Sequence, residues 1–251
     1  MNVNVEKIER ILAADRVWSA YALADLEPEQ AAFCSWSVAD DALILNYRRL
    51  DPPVLFTHGT PSGIATLLSK IPAGRYQFSI RPAHLIPISA AFEIDEMFEM
   101  WRMVYTDRAG TIGPGGLSAE RLNAGNLDDL QDLFSDHPDA PDAFLESQLD
   151  LGVFYGVYDH DRLMAVSGTH ILSKHYRLAA IGNVFTDPAY RGKGCATLTS
   201  YAVVQELLAN GVETIVLNVA KANTAAVTAY KRIGFQTYCE FLEGYGKRIK
   251  R

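Results

Sequence analysis

The chain has 251 residues, of which 49% are hydrophobic and 21% charged. That is the balance of a folded globular protein, and it excludes an intrinsically disordered one. The net charge of −7 argues against a nucleic-acid binder, which meets phosphates with basic faces. Cys34, Cys195 and Cys239 are the three cysteines. They are too few and too scattered for a disulfide scaffold or a Cys-based metal site, so a reducing compartment and no metal are expected.

The N-terminal MNVNVEKIERILAADRVW interrupts its apolar residues with Glu and Lys, unlike a signal peptide. No apolar run reaches the roughly 18–20 residues that span a bilayer, so a cytoplasmic protein without membrane attachment is expected. Short apolar runs then alternate with turn signals: AAFCSWSVA, ALILNYRRL, PVLFTHG and RYQFSI, with a helix predicted at SGIATLLSKI between the last two. Met97 to Tyr105 is a further strand candidate. Asp107 to Ser118 contains RAGTIGPGGLS, whose four glycines and one proline cannot continue a helix or a central strand, and it predicts a linker. Two domains follow, 1–115 and 116–251.

In the second domain GLSAERLNA is strand-like, and Asn126 is placed to cap a helix over NLDDLQDLF. Pro141 suits the start of a helix in PDAFLESQLD. VFYGVYDHDRLMAVSGTHIL predicts a hairpin turning at Asp159-His160-Asp161, and LAAIGNVFT is another strand. After DPAYRGKG comes an amphipathic helix from Ala196 to Ala209, then the apolar strand TIVLNV. A helix over Thr224–Ile233, closed by Gly234, and a final strand FQTYCEFLEG complete a layered α/β pattern.

Two segments carry chemistry. In Val184-Phe185-Thr186-Asp187-Pro188-Ala189-Tyr190-Arg191-Gly192-Lys193-Gly194-Cys195-Ala196 a strand is ended by proline, and a glycine-spaced turn opens a helix. The first amides of a helix have no intrahelical acceptor and carry the positive end of its dipole, so this arrangement suits a pyrophosphate. Gly192 and Gly194 leave the backbone bare, while Arg191 and Lys193 add positive charge. Taken alone, the turn is equally explained as a tight strand-to-helix connection without ligand. The second segment runs from Asn218 to Phe235. Asn223 can cap its helix, and Tyr230, two turns later, projects to nearly the same side; taken alone, Tyr230 is better explained as a half-buried core residue.

In this order and spacing the two segments resemble the GNAT superfamily of acyl-CoA-dependent N-acyltransferases. Arg191-Gly192-Lys193-Gly194-Cys195-Ala196 matches the R/Q-x-x-G-x-G/A pattern of that family, followed by Asn223, Tyr230 and Gly234-Phe235, and the resemblance covers Ser118 to Gly244. It implies a GNAT fold in the C-terminal half, a mixed, mostly antiparallel sheet splayed between two strands and flanked by helices. It further implies acetyl-CoA as cosubstrate and a small or peptidyl amine as acceptor; a homodimer is the assembly considered. Residues Val184, Phe185 and Thr186 would hold the pantetheine arm and polarise the thioester. The amides of Gly192, Lys193, Gly194, Cys195, Ala196 and Thr197, with Arg191 at the rim, would hold the pyrophosphate. Asn223 would reach the pantetheine or phosphate region, and Tyr230 would protonate the departing thiolate. The amine attacks directly, so Cys195 is expected to pack rather than to act as a nucleophile.

Many relatives place a carboxylate on the strand before the loop, but Leu178 to Val184 carries none. The general base is left among His170, His175 and a water chain. Charge is unevenly spread: residues 116–180 sum to −7 and residues 181–251 to +4. This suits a polyanionic cofactor beside a cationic acceptor, although a solvated acidic face explains the first figure equally. Residues 1–115 are expected to be a degenerate GNAT-like lobe without a CoA site, because Val54 to Gly63 lacks the basic residue and the glycine spacing. A longer acyl group and a non-catalytic acyl-CoA sensor are the alternatives.

Overall fold

The computed structural model describes residues 5–106, 117–135, 137–141 and 144–249. Most of the expected linker, residues 107–116, therefore lies outside the described residues. These fall into two compact units, one drawn from Met1–Arg102, Ala220–Ala222 and Tyr238–Arg251, the other from Met103–Val219 and Asn223–Thr237. The C-terminal strand thus leaves the second unit after Thr237, which a break at one linker does not anticipate.

The chain forms α1 (Val5–Ala13), α2 (Ala20–Ala24), β1 (Cys34–Val38), β2 (Ala42–Tyr47), β3 (Val54–Gly59), α3 (Pro61–Leu68), β4 (Gly74–Ile80), α4 (Leu85–Ala91) and β5 (Phe92–Tyr105). It continues with β6 (Glu120–Leu122), α5 (Leu127–Phe134), α6 (Gln148–Leu151), β7 (Phe154–Asp159), β8 (Arg162–Ser173) and β9 (Leu178–Thr186). The last elements are α7 (Cys195–Ala209), β10 (Thr214–Ala220), α8 (Thr224–Arg232) and β11 (Phe235–Arg248).

In the first unit the strand order is β1-β2-β3-β4-β11-β5. Neighbours β1 to β3 are antiparallel, whereas β3 and β4 are parallel and joined through α3. Thr60 starts α3 by accepting from the Gly63 amide at 3.1 Å, with Pro61 at its first position, where a missing N–H costs nothing. The same tolerance lets Pro87 stand in the first turn of α4, which its sequence had concealed. The core of this unit gathers Ile44, Leu55, Ile64, Leu67, Phe78 and Phe92.

In the second unit the order is β10-β9-β8-β7-β6. All pairs are antiparallel except β9 and β10, which are parallel and joined through α7. Leu130 and Leu133 of α5 and Leu149 of α6 pack with Phe154, Leu163 and Phe185. At Gly168 a Cβ would enter the Phe154 ring, so glycine there is what lets the ring lie flat against the sheet. On the other side, Cys195 of α7 packs with Val157, Met164 and Ala165. Farther along, the buried Ser167 hydroxyl meets those of Thr199 (2.7 Å) and Ser200 (2.9 Å). These small hydrogen-bonded groups let α7 approach the strands closely.

Two local expectations change. Asn126 precedes α5 but makes no cap bond. Its Oδ1 accepts instead from the Asn123 amide at 3.1 Å, while its Nδ2 donates to the Tyr158 hydroxyl at 3.2 Å. The helix expected from Pro141 is confined, among the described residues, to Gln148–Leu151.

Candidate functional site

Strands β9 and β10 pair from Leu178–Thr214 to Ile181–Leu217 and then stop, although β9 continues to Thr186 and β10 to Ala220. A bulge on the other side of β9 marks the same point. Val166 faces Phe185 and Gly168 faces Gly182, so Ser167 alone opposes both Asn183 and Val184. Asn183 takes a left-handed φ of 50°, which Asn tolerates better than most side chains. The buried Asn183 donates from Nδ2 to Gln148 Oε1 at 3.2 Å, and Gln148 donates to the His170 carbonyl at 3.0 Å. Bulges of this kind re-aim backbone groups next to active sites.

Beyond β9, Asp187 accepts from the Ala189 amide (2.9 Å) and from Arg162 (2.6 Å), which fixes the chain as it leaves the strand. Gly192 and Gly194 follow with φ of 81° and 86°. Nothing lies within 4 Å of where either Cβ would be. Glycine is therefore required by the turn, and the space beside it is open. No side chain caps α7, and its first intrahelical bond is from the Leu198 amide to the Gly194 carbonyl, 3.0 Å. The amides of Cys195, Ala196 and Thr197 precede that bond. This is an N-terminus able to hold an anion, next to a basic rim.

The predicted side chains are placed as follows. Arg191 donates to the Thr186 carbonyl at 3.2 Å and to Asp139 at 3.0 Å, so its first task is to hold the loop. Lys193 lies over the Tyr190 ring at 4.5 Å. Val184 and Thr186 are half-buried, whereas Phe185 belongs to the core with its ring 5.9 Å from that of Phe134. Cys195 is buried, and that burial pushes its thiol above the usual range. A thiol so held is a poor nucleophile, consistent with its packing role.

Asn223 does start α8, and its Oδ1 accepts from the Ala226 amide at 3.1 Å. That oxygen is committed to the cap. Tyr230 is 8% exposed and meets the Phe235 ring edge-on at 6.0 Å. Of the two histidines considered as bases, His170 stands beside Gly182, where a Cβ would come within 2.8 Å of its own. His175 lies in the turn after β8, edge-on to Tyr176 at 4.6 Å.

Sequence reasoning missed Asn183 and Gln148, and it singled out Thr186 for its strand but not for its Oγ1. The last is buried without a hydrogen-bond partner where β9 meets the loop. An orphaned hydroxyl in that position and the open space over Gly192 and Gly194 both fit an acyl-CoA, as do the free helix amides. The one available signal was Gly182-Asn183 inside an apolar strand, a dipeptide prone to left-handed backbone. The second unit also holds a cavity of about 420 Å3, lined by Asp129, Asp132, Asp161, Asp187, His137 and Arg162 among others. Among the described residues no group of three or more His, Cys, Asp or Glu could hold a metal, and no helix is long and apolar enough to cross a membrane.

Residues 123–235 match the acetyltransferase (GNAT) family. The uncharacterized N-acetyltransferase YobR of Bacillus subtilis is 24% identical over 272 aligned positions, covering 99% of each chain. A mycothiol acetyltransferase of Mycobacteroides abscessus is 33% identical over 115 residues, 41% of this chain and 38% of its own. A solved tandem GNAT protein from the clavulanic acid biosynthesis pathway superposes with a TM-score of 0.59 at 10% identity. It covers 97% of this chain and 94% of its own, a likeness of fold.

Proposed function

We propose, from the match of residues 123–235 to the GNAT acetyltransferase family, that the chain transfers an acetyl group from acetyl-CoA to a primary amine in one ternary complex. The observation that carries this reading is the parting of β9 from β10 after Ile181, directly before the uncapped N-terminus of α7. Acetyl-CoA supplies an activated thioester; the chain supplies position and protons. The amides of Gly192 to Thr197 hold the pyrophosphate, with Lys193 and Arg191 at its rim. Backbone groups of Val184 to Thr186, re-aimed by the bulge at Asn183, orient the pantetheine and polarise the carbonyl. Phe185 contributes its backbone only, since its ring is in the core, and Asn223 contributes by setting the start of α8.

Tyr230 donates a proton to the departing sulfur, a role suited to a phenol that is neutral at physiological pH. His170 takes the ammonium proton directly or through water, because it is the histidine beside Gly182, where β9 parts from β10. The acidic lining of the 420 Å3 cavity supports a cationic acceptor. In the first domain, 1–115, the Val54–Gly63 segment offers no equivalent phosphate site, so we assign it a GNAT-like lobe without CoA.

A thiol-release assay against a panel of amines tests this. Turnover that is lost in Tyr230→Phe, with acetyl-CoA binding retained, is the expected result. The missing carboxylate on β9 favours one competing reading, a sensor. Acyl-CoA binding without turnover on any amine would establish that instead, and a preference for longer thioesters would shift the acyl assignment.

A further inference from the structure

The first unit holds its own parallel pair joined through a helix, in which β4 ends at Ile80 while β3 runs on to Gly59. Strands β3 and β4 pair only from Val54–Gln77 to Phe56–Ser79. Beyond that point Trp18, 1% exposed, donates from Nε1 to the Thr57 carbonyl at 3.2 Å. Its ring lies 5.1 Å from Phe56 and 5.5 Å from Phe241. What remains is a cavity of about 310 Å3 lined by Asp15, Trp18, His58, Gly59, Arg81 and His84, at the small end of ligand pockets.

Its polar groups divide into satisfied acceptors and unsatisfied donors. Asp15 Oδ2 accepts from Arg81 at 2.9 Å, and its Oδ1 accepts from the Tyr238 hydroxyl at 2.7 Å and the Trp18 amide at 3.1 Å. His84 donates from Nε2 to the Gly59 carbonyl at 2.9 Å, which leaves Nδ1 to accept from the Thr57 hydroxyl at 2.7 Å. His58 Nδ1 lies 3.4 Å from the buried Ser19 hydroxyl. In the tautomer that accepts the Ser19 proton at Nδ1, the ring proton is on Nε2. Burial lowers the pKa of both imidazoles, so both are neutral at pH 7. His58 Nε2 and the guanidinium N–H groups of Arg81 beyond the Asp15 pair have no partner among the described residues. Arg81 is held in place by stacking on Trp18, 4.8 Å away.

We propose that this cavity binds a small organic monocarboxylate, its oxygens on Arg81 and His58 Nε2 and its apolar part toward Ala14 at the rim. A planar carboxylate matches the guanidinium edge. Arg81 and Asp15 already cancel, so a single negative charge is met by the spare donors, whereas a dianion would lie uncompensated beside Asp15.

The test is titration of the whole chain with benzoate, and separately with inorganic phosphate, following the His58 ring and Trp18 indole resonances by NMR. Benzoate is expected to shift both resonances saturably, and Arg81→Gln should weaken its binding at least tenfold. His58→Gln, scored on the Trp18 signal, should do the same, and it keeps the test open if the arginine variant does not fold. Absence of a saturable shift with benzoate would overturn the proposal. So would unchanged affinity in a folded variant, or tighter binding of phosphate than of benzoate.

Discussion

In each unit a parallel strand pair joined through one helix is paired over only three or four residues, but what lies beyond the paired stretch differs. In the second unit β9 turns through Gly192 and Gly194 into a helix without a side-chain cap, and space lies open over both glycines. In the first, β3 turns through Gly59, with φ of 110°, into α3. There the Thr60 hydroxyl takes an early amide, Pro61 removes another, and Trp18 takes the Thr57 carbonyl. One backbone plan is left open in one unit and closed by its own side chains in the other. A cofactor site follows from unclaimed backbone donors, not from the fold alone.

The largest effect should come from disabling the open site. Tyr230→Phe removes the proposed acid and should lower turnover by about 10²–10⁴, read by thiol release at saturating acetyl-CoA. Trp18→Ala removes the plug of the closed one. Loss of a buried indole should cost roughly 3–5 kcal/mol in denaturant unfolding and create no second acetyl-CoA site. If that variant gained one, Trp18 alone would account for the difference between the units.

Acids separate the units as well. Asp187 is paired with Arg162, whereas burial pushes the half-buried Asp25 of the first unit up to about 7. Its pKa is therefore higher folded than unfolded, and the folded state binds the extra proton between roughly pH 4 and pH 7. The stability contributed by this group falls as pH rises through that window. Asp25→Asn should raise stability at pH 8 by up to about 2 kcal/mol and leave it nearly unchanged at pH 4, as thermal melts at the two pH values would report. The smallest effect belongs to the cap: Thr60→Ala should cost about 1 kcal/mol, measured as a shift in the urea midpoint.

Strands β2, β3, β4, β7, β8, β9 and β10 were legible as apolar runs bounded by turn residues, and helices α3, α7 and α8 from their apolar positions and the residues that flank them. The glycine turn was legible because left-handed backbone demands glycine. The bulge was not, since Asn183 sits in an apolar run whose alternation hides one extra residue. Nor was the plug, because nothing local to Trp18 indicates that its indole will meet Thr57, 39 positions away. The unit boundary was missed for the same reason. FQTYCEFLEG reads as one strand, and only long-range pairing of Leu242–Arg248 with Gly74–Ile80 assigns its end to the first unit. Asn223 was read as a cap as well as a ligand contact, and it makes that cap; the bond from Arg191 to the Thr186 carbonyl was not read, because an exposed arginine in a loop gives no local sign of the backbone it will satisfy.

Calorimetric titration of acetyl-CoA into the whole chain, with Gly194→Val alongside, tests the central claim most directly. One molecule should bind per chain. In the variant, whose φ of 86° a β-branched residue cannot adopt without strain, binding should be lost while the thermal midpoint moves by only a few degrees. Two molecules per chain, or one bound as tightly in the folded variant, would contradict the assignment of the site to the open strand pair of the second unit.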